Sequence, residues 1–200
     1  MTAEPAPSPL YVSFTRHSAS RSSLVIAFLW GLAEATLFFI VPDMYLGFVA
    51  VFHWRRGLLA TLATVAGAMI GGATMYVLAV SNGAAVNQLL VRIPLISPEM
   101  VRTVAEQMRA SGLAAMISAP LQAVPYKIYA AQAGQQHFPF IQFLLVTLPA
   151  RLERTLPVVL AAAAFGSALK RLVQRRTALV IGTYALLWVG VYVAYYLQMR

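Results

Sequence analysis

Gly57 to Val80 carries no charged side chain. About 20 such residues cross a bilayer. Lipid offers no water to backbone N–H and C=O groups, so the segment has to satisfy them internally, as a helix. Thr177 to Leu197 is a second run of this kind. Composition agrees: 60% of the 200 residues are hydrophobic and 10% charged, against about 45–50% and 25% in soluble domains. The expected fold class is an all-α integral membrane protein, a bundle of transmembrane helices.

Three further apolar segments are not smooth. Leu24 to Phe52 is interrupted by Glu34, Pro42 and Asp43. Gly112 to Gly134 is broken at Pro120 and Pro125, with Lys127 beside the second break. Phe138 to Gly166 holds Arg151, Glu153 and Arg154 between Pro149 and Pro157. The first two resemble each other faintly: Gly31-Leu32-Ala33 leads to Pro42-Asp43-Met44-Tyr45, and Gly112-Leu113-Ala114 to Pro125-Tyr126-Lys127-Ile128-Tyr129. Paired interrupted segments in corresponding halves point to an inverted-repeat transporter site. Two opposed re-entrant hairpins, near 24–52 and 112–134, are expected inside the bundle.

The remaining segments complete the layout. Residues 1–23 are polar, with prolines at 5, 7 and 9, and read as a mobile cytoplasmic tail. Residues 24–166 form the membrane core. Residues 167–200 hold a basic loop, Lys170 to Arg176, and the last span. Ser81-Asn82-Gly83 reads as a turn. In Ala84 to Arg109, Val101, Val104, Ala105 and Met108 recur at helical spacing opposite Arg102, Glu106 and Arg109, an amphipathic segment at the interface. Gly67-x-x-x-Gly71 allows a close helix approach. Ala33-Glu34-Ala35 has the small-x-small look of a signal cleavage site, but the apolar run continues past it and no cleavage is expected.

Net charge is +9, and 13 of the 15 basic residues are Arg. They flank apolar spans instead of clustering on a soluble domain, so nucleic-acid binding is excluded as their purpose. If both broken stretches return to the side they entered, Arg16, Arg21, Arg55, Arg56 and Lys170 to Arg176 share one side. Arg92, Arg102, Arg109 and Arg200 lie on the other, as the positive-inside rule asks. There is no cysteine, and His17, His53 and His137 stand alone, so neither a metal site nor a thiol nucleophile is expected. Without a Gly-x-Ser-x-Gly either, no catalytic residues and no cofactor are expected.

A charge at the bilayer centre costs about 2.5–3.5 kcal/mol on insertion scales. Glu34, Asp43, Lys127, Arg151, Glu153 and Arg154 therefore need partners or water. Three acids and three bases can neutralise one another, and buried pairs that merely lock the fold are one reading. The other is a wet cavity. Pro42, Pro120 and Pro125 free backbone groups that lipid does not tolerate unless protein or a cavity faces them. Half-helix N-termini suit anions. Arg151 and Arg154 share a helix face, and two guanidinium forks fit a phosphate. Glu34 and Asp43 in a semi-apolar cavity are suited to carry protons.

These features together resemble the DedA family, also called the SNARE-associated or VTT-domain family, and within it the YqaA-like branch. The resemblance covers about Leu24 to Gly166. It rests on Pro42-Asp43, on the Gly/Ala-rich helix ending AGAMIGGATMYVLA, and on a Pro-rich stretch closing on Ala131-Gln132-Ala133-Gly134. It rests also on the Phe-rich run Phe138, Phe140, Phe143 leading to Arg151 and Arg154. The chain departs in having Ala150 where the family usually has Gly, and Val124-Pro125-Tyr126-Lys127 where it often has an Arg or an acid. The resemblance implies re-entrant breaks at Pro42, Pro120, Pro125 and Gly134, and a multi-pass protein of the bacterial inner membrane. It implies movement of an anionic phosphate-headed lipid, undecaprenyl phosphate or a phospholipid, between leaflets. Arg151, Arg154 and Lys127 would bind the substrate, with Glu34 and Asp43 coupling it to protons. A homo-oligomer is compatible with this reading. The alternative is a scaffold for envelope homeostasis that transports nothing.

Overall fold

The computed structural model describes residues 7–118 and 124–198. All regular structure among them is helical. In chain order the helices are α1 (Pro9–Ala19), α2 (Arg21–Glu34), α3 (Asp43–Phe52), α4 (Trp54–Leu90), α5 (Pro98–Ser111) and α6 (Ala115–Ser118), followed by α7 (Tyr126–Gln135), α8 (Phe140–Ala168), α9 (Lys170–Arg175) and α10 (Thr177–Gln198). Trp54–Leu90 and Thr177–Ala194 are long and apolar enough to cross a membrane. α8 is 29 residues long but carries the three central charges.

α4 is the post on which the rest is mounted. Its small residues let backbones come close: the Gly67 Cα faces the Phe28 carbonyl, Gly71 faces the Leu32 carbonyl, and Gly31 of α2 meets Thr64. The Thr64 hydroxyl also donates to the Ala27 carbonyl at 3.0 Å. α2 thus climbs α4 from its start to about Gly71, and the Gly-x-x-x-Gly face is used inside the molecule. After the break at 35–42, α3 descends beside α2 and ends where α4 begins. At roughly 1.5 Å per residue, α2 and α3 rise only about 21 and 15 Å, short of the ~30 Å of a hydrocarbon core.

α7 climbs the other part of α4. Tyr126 lies against Gly72, Gly134 against the Tyr76 carbonyl, and Gln135 against Gly83. α2 and α7 are therefore stacked along one post, their near ends meeting around Gly71 and Gly72. α8 runs back along α4 and α3, from Tyr76 at Phe140 to Val51 at Gly166.

Four expectations change. Pro9–Ala19 is a helix, not a mobile tail: Ser8 caps it, Pro9 sits at its first position, and Tyr11 and Phe14 pack on Phe48 and Phe52. Ser81-Asn82-Gly83 is a kink within α4, not a reversing turn; Asn82 leaves helical geometry at φ −153°, and its side chain caps the resumed helix at Ala85. Lys170–Arg175 is a short helix instead of a loop. Gly134 is not a break, since it lies within α7, where its missing side chain admits the Tyr76 carbonyl. Pro120 lies outside the described residues. The amphipathic expectation holds for α5, which buries Val101, Val104, Ala105 and Met108.

Candidate functional site

The end of α2, the start of α3 and the start of α7 meet beside the middle of α8, and the buried charges gather there. Pro42 and Pro125 each stand immediately before a helix, α3 and α7, and neither helix start has a side-chain cap. Each start leaves first-turn N–H groups open, and a proline, which has no N–H of its own, is well placed at such a start. Pro149 and Pro157 lie inside α8, and each removes one backbone hydrogen bond from the helix that carries the arginines.

The side chains form a chain of ion pairs. Arg151 donates from Nη2 to Glu34 Oε2 at 2.6 Å. Arg154 Nη1 lies 3.7 Å from Glu34 Oε1, and its Nε and Nη2 both reach Asp43 Oδ2 at 3.2 Å. Glu34 bridges the two arginines because they are three apart on one face of α8. The Arg151 guanidinium also lies over the Tyr126 ring, 5.1 Å from its centroid. That ring is fixed by a 3.0 Å bond between the Tyr126 hydroxyl and Thr147 Oγ1. Lys127 Nζ donates to the Phe38 carbonyl at 2.7 Å, tying the start of α7 to the break between α2 and α3. Glu153 is exposed and outside this group. The expected balance of three acids against three bases becomes Lys127, Arg151 and Arg154 against Glu34 and Asp43, a surplus of one positive charge.

A cavity of about 260 Å³ opens onto the cluster, with Glu34, Asp43, Lys127 and Arg154 in its wall. Arg151 does not line it; its side chain is 3% exposed, against 21% for Arg154. Two buried polar atoms of the cluster, Asp43 Oδ1 and Arg151 Nε, have no hydrogen-bond partner. Buried polar atoms are nearly always paired, so an unpaired carboxylate oxygen on a residue that lines the cavity marks a place for a donor. Ile93 to Ile96 line the cavity beyond α4, with Leu95 in left-handed geometry at φ 69°, an uncommon conformation for such a side chain.

All five cluster residues were expected from the sequence, since charges in apolar segments demand partners. The contribution of α10 was not. Trp188 and Tyr192 line the cavity, the Tyr192 hydroxyl accepts from the Val41 N–H at 2.8 Å, and the Tyr184 hydroxyl donates to the Met44 carbonyl at 2.8 Å. The signal was present as spacing: Tyr184, Trp188 and Tyr192 are four apart and share one helix face, within a run whose hydropathy alone marks it as a span.

Comparison with family models, curated proteins and solved structures returns no match for this chain.

Proposed function

We propose that the chain is a multi-pass protein of DedA type that moves a phosphate-headed lipid between the leaflets of a bacterial inner membrane. The observation that carries this reading is the surplus positive charge where the two broken hairpins meet, at a cavity large enough for a head group. The hairpins are re-entrant on this reading, because helices as short as α2 and α3 do not span a hydrocarbon core. Irregular backbone at that depth is tolerated where it is covered by protein or lines a cavity. Lys127 and Arg154 offer donors to a phosphate from the cavity wall, and the uncapped starts of α3 and α7 add fixed partial positive charge. Arg151 works from behind, holding Glu34 in position. Asp43, with one oxygen unpaired, is the candidate proton carrier.

A second reading is favoured by the ion pairs themselves. Glu34–Arg151 at 2.6 Å and Asp43–Arg154 at 3.2 Å form without any ligand, as they would in a scaffold that transports nothing. Purified protein in liposomes separates the two. A transporter speeds exchange of a labelled phosphate-headed lipid between leaflets, and Arg154→Ala removes the effect. If the native protein leaves exchange at the rate of empty liposomes, the scaffold reading stands.

A further inference from the structure

The charged cavity is too small for a lipid. About 260 Å³ falls below the roughly 300–1,000 Å³ of sites that enclose a drug-sized ligand. It suits a phosphate group but leaves no space for a hydrocarbon chain, which has to lie elsewhere.

Trp188 stands in the cavity wall and also in the wall of a second, larger cleft of about 570 Å³, between α10 and the α3–α8 pair. The lining of this cleft is almost wholly hydrocarbon, with Val51, Ala161, Ala162, Phe165, Leu179 and Leu187 among its residues. Tyr184 also borders it, but its hydroxyl is engaged with the Met44 carbonyl. The other polar groups of the lining are the Thr183 hydroxyl and the indole N–H of Trp188, which has no hydrogen-bond partner among the described residues; the rest suits a hydrocarbon chain. Protein does not fill the space: α10 is tied to the body by the hydroxyls of Thr177, Tyr184 and Tyr192, and the facing residues of α8 include two alanines. From Leu179 to Trp188, α10 rises roughly 14 Å at about 1.5 Å per residue, near half of a ~30 Å hydrocarbon core. That is the depth of the chains of one leaflet.

We propose that this cleft holds the hydrocarbon chain of the phosphate-headed lipid, with Trp188 at the junction of chain and head group. The inference rests on reading the charged cavity as a phosphate site. The choice of occupant follows from continuity: one end is apolar and open, the other carries one uncompensated positive charge, and Trp188 belongs to both. An anionic head on a long chain matches both ends at once. A neutral lipid matches only the cleft.

The test uses full-length protein in phosphatidylcholine bilayer discs and two photoactivatable probes with the same chain. One is phosphatidic acid and the other diacylglycerol, each with a diazirine in the chain. The phosphatidic acid probe is expected to label Ala161, Ala162 and Leu187 at least about tenfold more than diacylglycerol, a preference worth ~1.4 kcal/mol. Arg154→Ala should abolish the preference. Ala162→Phe, which fills the cleft, should abolish the labelling while inorganic phosphate still binds in calorimetry. Equal labelling by the two probes, or labelling confined to the outward residues Leu186 and Val189, would mean bulk lipid only and would overturn the proposal. The two-probe comparison uses the native protein, so it stands even if Ala162→Phe fails to fold. Leaflet exchange is measured separately: selective labelling without exchange would reject transport and keep the cleft as a lipid site.

Discussion

Arg151 and Arg154 differ in burial, and their variants should differ accordingly. Arg151 is enclosed with Glu34, and removing one member of a buried pair costs about 3–5 kcal/mol because the other is left uncompensated. Glu34→Gln should therefore lower thermal stability markedly, and Glu34→Leu with Arg151→Met should recover most of the loss, since an apolar replacement of the whole pair is often neutral. No recovery in the double variant would mean that Glu34 holds the fold by some route other than Arg151. Arg154 reaches the cavity. Lys keeps its charge but not its planar fork, and a hydrogen bond to a charged group is worth about 1.5–3 kcal/mol. Arg154→Lys should then cut lipid exchange about tenfold or more while the melting temperature moves little. Asp43→Asn keeps a side chain of the same shape beside Arg154. If Asp43 carries the proton, exchange in this variant should no longer respond to an imposed pH gradient. A gradient response equal to that of the native protein would remove Asp43 from the coupling.

At the level of elements, close approach of backbones decides what the helices can do. A Cβ at Gly67 would run into the Phe28 carbonyl, whereas one at Gly182 meets nothing within 4 Å. Overpacking of this kind costs about 1–3 kcal/mol, so Gly67→Ala should lower the melting temperature and Gly182→Ala should not. Equal behaviour of the two would contradict the packing of α2 on α4. This packing was legible, because Gly67-x-x-x-Gly71 is a spacing that only a helix face explains. So were the breaks at Pro42 and Pro125, each of which stands immediately before a helix; proline alone did not decide it, since α8 runs through Pro149 and Pro157. α1 was hidden by its serines and prolines, a composition shared with disordered tails; its start signal, Ser8 before Pro9, needed Phe48 and Phe52 as partners to mean anything. The role of α10 was hidden differently. Mean hydropathy treats the stretch as uniform, and only the tyrosine hydroxyls, which close the Val41 N–H and the Met44 carbonyl, distinguish one face. Those contacts join residues far apart in the chain, and no local pattern encodes them.

Across the whole molecule the basic residues are unevenly placed. Arg16, Arg21, Arg55, Arg56 and the run from Lys170 to Arg176 lie at the end of the bundle where α1, α9 and the start of α4 come together, a junction closed by the Ser8 N–H donating to the Gln174 carbonyl at 3.0 Å. Arg92, Arg102 and Arg109 lie at the opposite end, and there Arg102 is 4.0 Å from Glu99 and 3.9 Å from Glu106. An excess of Lys and Arg near the ends of spans marks the cytoplasmic side. On the proposed membrane reading, α9 therefore faces the cytoplasm and α5 the opposite compartment. The native chain has no cysteine, so single cysteines report cleanly. Glu99→Cys and Arg175→Cys both fall on exposed helical positions, where a substitution disturbs no core contact. In right-side-out vesicles a membrane-impermeant maleimide should label Glu99→Cys and spare Arg175→Cys, and in inverted vesicles the pattern should reverse. Labelling of both from one side would place α5 and α9 in the same compartment. The second broken segment, between α5 and α8, would then have to cross instead of returning, and the arrangement that brings Glu34 and Lys127 together from opposite faces would fail with it.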